Sequence, residues 1–199
     1  MANTYAPSGF TTAALYGAVA PNYATRTATI AYNYGTQIAF GDPVYLNTSG
    51  DIVLYAAAGT TIHGIFRGCK YLDPSSGRTQ WYRYWSAPTL PSTTVVEAYV
   101  EADPTMTFQV QTSGSALTQA DIGKNADIVT SSSGAPNAAG TSTCGLSVAS
   151  IADTATLPFR IVGIVQSPAI NFLYTPGTGN DWAIVTMNTS DITTRTGQA

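Results

Sequence analysis

The chain has 199 residues, of which 44% are hydrophobic and only 10% charged, against about 25% charged in an ordinary globular domain. Eight basic and eleven acidic side chains leave a net charge of −3, which argues against a general electrostatic grip on nucleic acid or on an anionic membrane. One histidine and two cysteines leave little material for imidazole chemistry, metal sites or a disulfide scaffold.

The length allows one large domain or two small ones, with a core of useful size in either case. No apolar run approaches the roughly 18 residues needed to span a bilayer. Residues 1–7 lack the basic stretch and apolar centre of a secretory leader, so the expectation is a chain not marked for export. Cys69 and Cys144 lie 75 positions apart. They read as two free thiols in a reducing compartment, with a Cys69–Cys144 bridge as the alternative.

In chain order, residues 1–28 carry weak patterning with sparse apolar anchors at Tyr5, Phe10, Leu15, Tyr16 and Tyr23. They read as an extended N-terminal arm ordered by a neighbouring subunit. From there the chain is punctuated by 18 Gly and 11 Pro between short apolar runs, with only two Lys and two Glu. That composition favours strands and turns over helices. Strands are predicted at 27–32, 37–40, 43–46, 51–55, 62–71, 79–85 and 95–101. Turns fall at 41–43, 47–51 and 73–77, and Gly64 and Gly68 are candidate bulges. The second half gives strands at 106–111, 125–129, 145–148, 159–165 and 182–187. It adds one helical turn at 118–121 stopped by Gly123, and an exposed loop at 131–143. Both halves echo a Gly-led strand, a Gly-rich turn and a closing Gly-Ile pair, at Gly64-Ile65 and Gly163-Ile164.

The expected fold is therefore all-β, one or two small β-barrels or sandwiches of jelly-roll or β-tulip type behind an extended arm. The division is 1–28 for the arm, 29–101 for the first unit and 102–199 for the second. The expected core is Ile65, Phe66, Val100, Phe108, Ile128, Ile161, Val162, Ile164, Ile184 and Val185.

Catalytic patterns are weak. His63 sits in an apolar strand, and no G-x-S-x-G elbow accompanies it, so it reads as structural. No C-x-x-C, H-x-x-x-H or H-E-x-x-H occurs, and no metal or cofactor is expected. Glu97 and Glu101, the only glutamates, would lie about 13 Å apart along a strand, beyond the reach of a glycosidase pair. They read as solvated. The densest cluster joins Arg67, Lys70 and Arg78 to Trp81, Tyr82, Arg83, Tyr84 and Trp85. Aromatics mixed with arginine suit base stacking, a sugar platform or a protein interface. The strand's alternation places Trp81, Arg83 and Trp85 on one face and Tyr82 and Tyr84 on the other. The negative net charge favours core plus protein interface.

A series of short stretches carries a resemblance: Tyr5-Ala6-Pro7-Ser8-Gly9-Phe10, Tyr16-Gly17, Tyr34-Gly35-Thr36, Gly41-Asp42-Pro43-Val44, then 64–71, Tyr84-Trp85, Asp103-Pro104, 108–111, 122–126 and 160–163. In this order the chain resembles minor capsid, cement or head-decoration proteins of tailed bacteriophages. The resemblance spans nearly the whole chain and brings no catalytic signature. It implies a non-enzymatic protein on the outside of the virion capsid, assembled in the bacterial host cytoplasm. Its partners would be the major capsid protein and itself, as a homotrimer, with no specific nucleic acid and no membrane. Tyr5, Phe10, Tyr16 and Tyr23 of the arm, and the strand Trp81, Tyr82, Arg83, Tyr84, Trp85, are the expected contacts with shell or subunit. The competing expectations are a tail- or fibre-type receptor protein reading glycans through Trp81, Tyr82, Tyr84 and Trp85, and, behind it, a β-sandwich hydrolase.

Overall fold

A computed structural model of the chain describes residues 3–15, 24–56, 61–129, 136–165 and 179–191. Among them run twelve strands: β1 (Thr11–Leu15), β2 (Arg26–Ile30), β3 (Pro43–Leu46), β4 (Ile52–Leu54), β5 (Gly64–Asp73), β6 (Arg78–Tyr82), β7 (Val96–Glu101), β8 (Met106–Ser113), β9 (Asn125–Ala126), β10 (Leu146–Ser147), β11 (Phe159–Ile164) and β12 (Trp182–Met187). Helical structure among these residues is confined to short pieces such as the 3-10 turns Gln119–Asp121 and Val148–Ser150. The fold is all-β, as the composition predicts.

The strands form two sheets. The first runs β1-β8-β12-β11-β9, with β10 added to β8. The second runs β2-β7-β5-β3-β4, with β6 added to β5. The pairings are antiparallel except that of β10 with β8. A bridge from Thr29 to Asp51 brings the two ends of the second sheet together, and the Thr29 hydroxyl donates to the Asp51 carboxylate at 2.6 Å.

Two hydrophobic clusters follow. One lies against the first sheet and holds Phe10, Met106, Phe108, Phe159, Ile161 and Val185, joined by Tyr55, Ile62 and Ile65 from the chain's first half. The other holds Ile30, Ile38, Val44, Phe66, Cys69, Tyr71, Trp85, Val96, Ala98 and Val100. Of the expected core, Val162, Ile164 and Ile184 are only half-buried. Ile184 falls between buried Ala183 and Val185, so the two-residue period turns it to the outer face. A register shift between Ile161 and Gly163 displaces the residues around Val162. The other seven expected core residues are buried.

The first sheet corrects the expectation for the arm. Residues 11–15 are strand β1, paired antiparallel with β8. Phe10 is fully buried, stacked on Phe159 at 4.3 Å and edge-on to Phe108 at 6.4 Å. The Ala6 amide donates to Gln111 Oε1 at 2.8 Å, Gln111 Nε2 returns a bond to the Thr4 carbonyl at 2.8 Å, and Asn3 Nδ2 donates to Asp181 at 3.2 Å. Residues 3–15 are thus tied to their own chain by these bonds, by the β1–β8 pairing and by the burial of Phe10. Tyr16 and Tyr23 lie outside the described residues.

The far part of the expected loop at 131–143 is likewise built in. Phe40 bridges Thr141, and buried Ser142 donates to buried Asp42 at 2.5 Å. Both cysteines are free and buried, one in each cluster. Burial pushes the Cys69 thiol up to about 12, and burial, then Asp42 and Asp127, pushes Cys144 well up.

Candidate docking surface

The site is a consequence of one bulge. In β5, Ile65 belongs to the first cluster and Phe66 to the second, so odd residues face the first sheet. Between Phe66 and Gly68 the register with β7 slips, and Gly68 takes φ +129°, a conformation that glycine adopts most readily. The slip reverses the parity. Cys69 and Tyr71 now enter the second cluster, while Lys70 and Leu72 continue the face that Ile65 began. Gly64 is not at a register shift. A β-carbon there would run into the Glu101 carbonyl and Val100, so it serves a close approach of β5 to β7.

Along β7 the same face carries Glu97, Tyr99 and Glu101, while Val96, Ala98 and Val100 point into the second cluster. Glu101 is not solvated, as its strand position suggested, but only 2% exposed. Arg67 donates to its Oε2 at 2.7 Å, and to the Phe10 carbonyl at 2.8 Å. Thr12 Oγ1 donates to Glu101 Oε2 at 2.6 Å. The arm therefore roofs this end of the face.

The other end has no roof among the described residues. Lys70 stands opposite Trp81 on one side and Glu97 on the other, and Glu97 stands opposite Thr29. Trp81, Lys70, Glu97 and Thr29 thus form one row across four strands. Lys70 Nζ lies 2.9 Å from Glu97 Oε1. The Tyr99 hydroxyl donates to the same oxygen at 2.7 Å. The Tyr99 ring stacks on Trp81 at 5.0 Å and 16°, and the Lys70 ammonium lies 5.1 Å from the Trp81 ring centre. Gly68, the residue opposite Tyr99, has no side chain to stand in the way. Hydrogen bonding with Tyr99, then with Glu97, holds the Lys70 ammonium above its usual value. Bonds from Tyr99, then Lys70, hold Glu97 below its own.

Beside this row lies a cleft of about 390 Å³ lined by Lys70, Leu72, Thr79, Pro91, Val95 and Glu97. A smaller one of about 240 Å³ continues it past Val95 and Glu97 to Thr27 and Thr29. Among the described residues the exposed large apolar side chains are Tyr5, Leu72 at 53%, Trp81 at 69% and Val95 at 74%. Three of those four gather on this face, a concentration that marks interaction surfaces.

The five expected contacts from Trp81 to Trp85 do not act together. β6 ends at Tyr82, and Trp85 re-enters as a bridge to Ile38, fully buried, with its indole N–H donating to the Tyr34 carbonyl at 3.0 Å. Tyr82 stacks on Tyr71 at 4.6 Å. Tyr84 is half-buried against Gly140, where a β-carbon would strike its ring. Arg83 is exposed, its guanidinium 4.5 Å from the Phe40 ring centre. Trp85 and Phe10 are committed to the chain's own cores, which removes both from the expected interface. Tyr5 is 37% exposed. Lys70 of the basic-aromatic cluster belongs to the site, and Leu72, Val95, Glu97 and Tyr99 join it without having been expected there. The alternation at 95–101 signals that half of that strand faces outward, but which strands flank it is a tertiary matter.

His63 Nδ1 lies 2.6 Å from Asp191 Oδ2, and the described residues hold no cluster of three metal-ligating side chains. Compared with protein-family models, curated proteins and solved structures, the chain matches none.

Proposed function

We propose that the chain is a non-enzymatic structural protein that docks on a protein shell through the open end of its second sheet. In the form its resemblance implies, it is a cement or decoration protein on the outer surface of a tailed-phage capsid. There it bridges neighbouring subunits of the major capsid protein as a homotrimer. The observation that carries this is the exposed Trp81–Tyr99 stack beside a cleft bordered by Leu72 and Val95. A rigid aromatic anchor next to an apolar recess, with one ion pair at its rim, is the composition of an interface centre. A protein that binds only the assembled shell stabilises that state by linkage, and several copies add by multivalency. The glycan reading is weaker, since of its four aromatics only Trp81 offers an open ring. The hydrolase reading is weaker still, since Glu101 is engaged with Arg67 and both thiols are buried.

The test is sedimentation of the purified chain with expanded heads that lack it. The wild type is expected to co-sediment. Trp81→Ala is expected to lose about 2 kcal/mol, about thirtyfold in Kd, with an unchanged melt. Undiminished binding by that variant, or location only at the tail tip, overturns the proposal.

A further inference from the structure

A strand that ends a sheet leaves a row of backbone N–H and C=O groups without a neighbour. β6 is such a strand. It pairs with β5 from Cys69↔Tyr82 to Asp73↔Arg78. Among the described residues, no strand, bridge or backbone hydrogen bond engages 78–82 on its other side. Arg78, Thr79 and Trp81 are all exposed. Edges of this kind are usually blunted by proline, by lysine or by a bulge. None of these lies between Arg78 and Tyr82; the strand's one charge is Arg78 at its start, and its fourth residue, Trp81, is the most exposed aromatic side chain of the described residues.

The charges at the edge select its occupant. Arg78 and Arg83 bracket the strand, and neither has a carboxylate partner among the described residues. Asp73, which stands opposite Arg78, is occupied by Ser75, Ser76 and Gln80. Two arginines without a carboxylate partner among the described residues, Arg83 lying over the Phe40 ring, thus flank a free edge on a chain whose net charge is −3. A second copy of the chain is a poor occupant. Antiparallel pairing about Gln80 sets Arg78 of each copy opposite Tyr82 of the other, one position from Arg83, so two arginines crowd each end of the pair, and like charges close across strands are unfavourable.

We propose that the free edge of β6 takes up, by strand addition, an extended segment of a different protein that carries acidic side chains to meet Arg78 and Arg83. The main-chain ladder supplies affinity without regard to sequence, and the arginines and Trp81 supply selectivity. Arg83 follows Arg78 by five positions, one beyond the end of β6, at most about 17 Å along an extended chain. The matching carboxylates therefore lie about five positions apart in the incoming strand. This inference stands on the backbone edge and the two arginines, not on the shell reading.

The test uses the full chain and two synthetic peptides of alternating threonine and valine. One has glutamates five positions apart and the other has lysines at the same places. Amide hydrogen exchange of β6 is the readout. The glutamate peptide is expected to slow exchange at β6 saturably, and the lysine peptide is not. The double variant Arg78→Glu, Arg83→Glu, checked for an unchanged melt, is expected to bind the glutamate peptide about tenfold more weakly and to gain the lysine peptide. Three outcomes overturn the inference: no protection of β6 by the glutamate peptide, equal protection by both peptides, or protection without peptide that rises with protein concentration. The last would assign the edge to a second copy. Peptide uptake by a chain whose Trp81→Ala variant still binds heads as the wild type does would sink the shell-face reading alone. Head binding lost in Trp81→Ala but kept in the double variant, with no peptide uptake, would sink only the edge inference.

Discussion

Strands β5 and β7 carry two ion pairs on one sheet face, and the two differ in almost every physical respect. Arg67–Glu101 is 8% and 3% exposed, closed over by Thr12 and the Phe10 carbonyl. Lys70–Glu97 is 29% and 36% exposed, with Trp81 and Tyr99 beside it and no roof among the described residues. One pair holds the arm onto the body; the other borders the open cleft. The chemistry of the pairs is similar, so the difference lies in what the rest of the chain lays over them. A face covered at one end by its own N-terminal strand has that end used for folding, and only the uncovered end is left for a partner.

The largest test of this contrast removes the cover. A chain lacking residues 1–15 loses Phe10 from the first cluster, β1 from its sheet and two partners of the Arg67–Glu101 pair. Its cooperative thermal unfolding is expected to be lost. A truncated chain that melts like the full one would restore the reading of the arm as a device for lacing subunits. Next in size, Glu101→Ala leaves the Arg67 guanidinium buried without its carboxylate and is expected to cost about 3–5 kcal/mol in denaturant unfolding. Replacing both Arg67 and Glu101 by Met should cost less than that single change, since no buried charge is left unpaired. A larger loss in the double variant would mean that the pair stabilises the fold beyond satisfying itself.

A smaller effect reads the cores directly. Burial raises both thiols, Cys69 to about 12, so the folded chain is expected to react with no thiol reagent at neutral pH and to titrate two thiols once unfolded. Reaction of either cysteine in the folded state would place it nearer the surface than its cluster. The smallest effect belongs to the open pair. Lys70→Met is expected to leave the melt unchanged and to move the Glu97 carboxyl, followed by NMR, up toward its ordinary value. With Glu97 held below that value, its favourable contacts are present above the ordinary pKa and are lost as pH falls through the lowered one. Added salt should weaken them at any pH where both groups are charged. A Glu97 titration indifferent to Lys70 would assign its shift to Tyr99 alone.

Much of the fold was legible because strand signals are local. β3 and β12 fall where the apolar runs and their flanking turns put them, at 43–46 and 182–187. Gly68 was legible as a bulge, but the consequence, an inversion of which residues of β5 face outward, depends on the pairing with β7. The stretch from Trp81 to Trp85 reads as one alternating strand. In the fold it leaves β6 after Tyr82 and turns so that Trp85 enters the second cluster, because Ile38 and the Tyr34 carbonyl, far away in sequence, satisfy its backbone and its indole. Phe10 gave no usable signal, since one aromatic residue in an unpatterned segment looks the same whether its partner is another subunit or the chain's own Phe159.

The sequence by itself determined the all-β class, the turn positions and seven of the ten residues read as core, since the two-residue period and turn chemistry act over a few neighbours. Only the tertiary structure decided which outward-facing residues stay outward. Glu101 and Glu97 are equivalent by period and strand, and the arm covers one and leaves the other. Exposure is set by what packs across a face, and that depends on contacts between residues far apart in sequence, such as Thr12 with Glu101, 89 positions away.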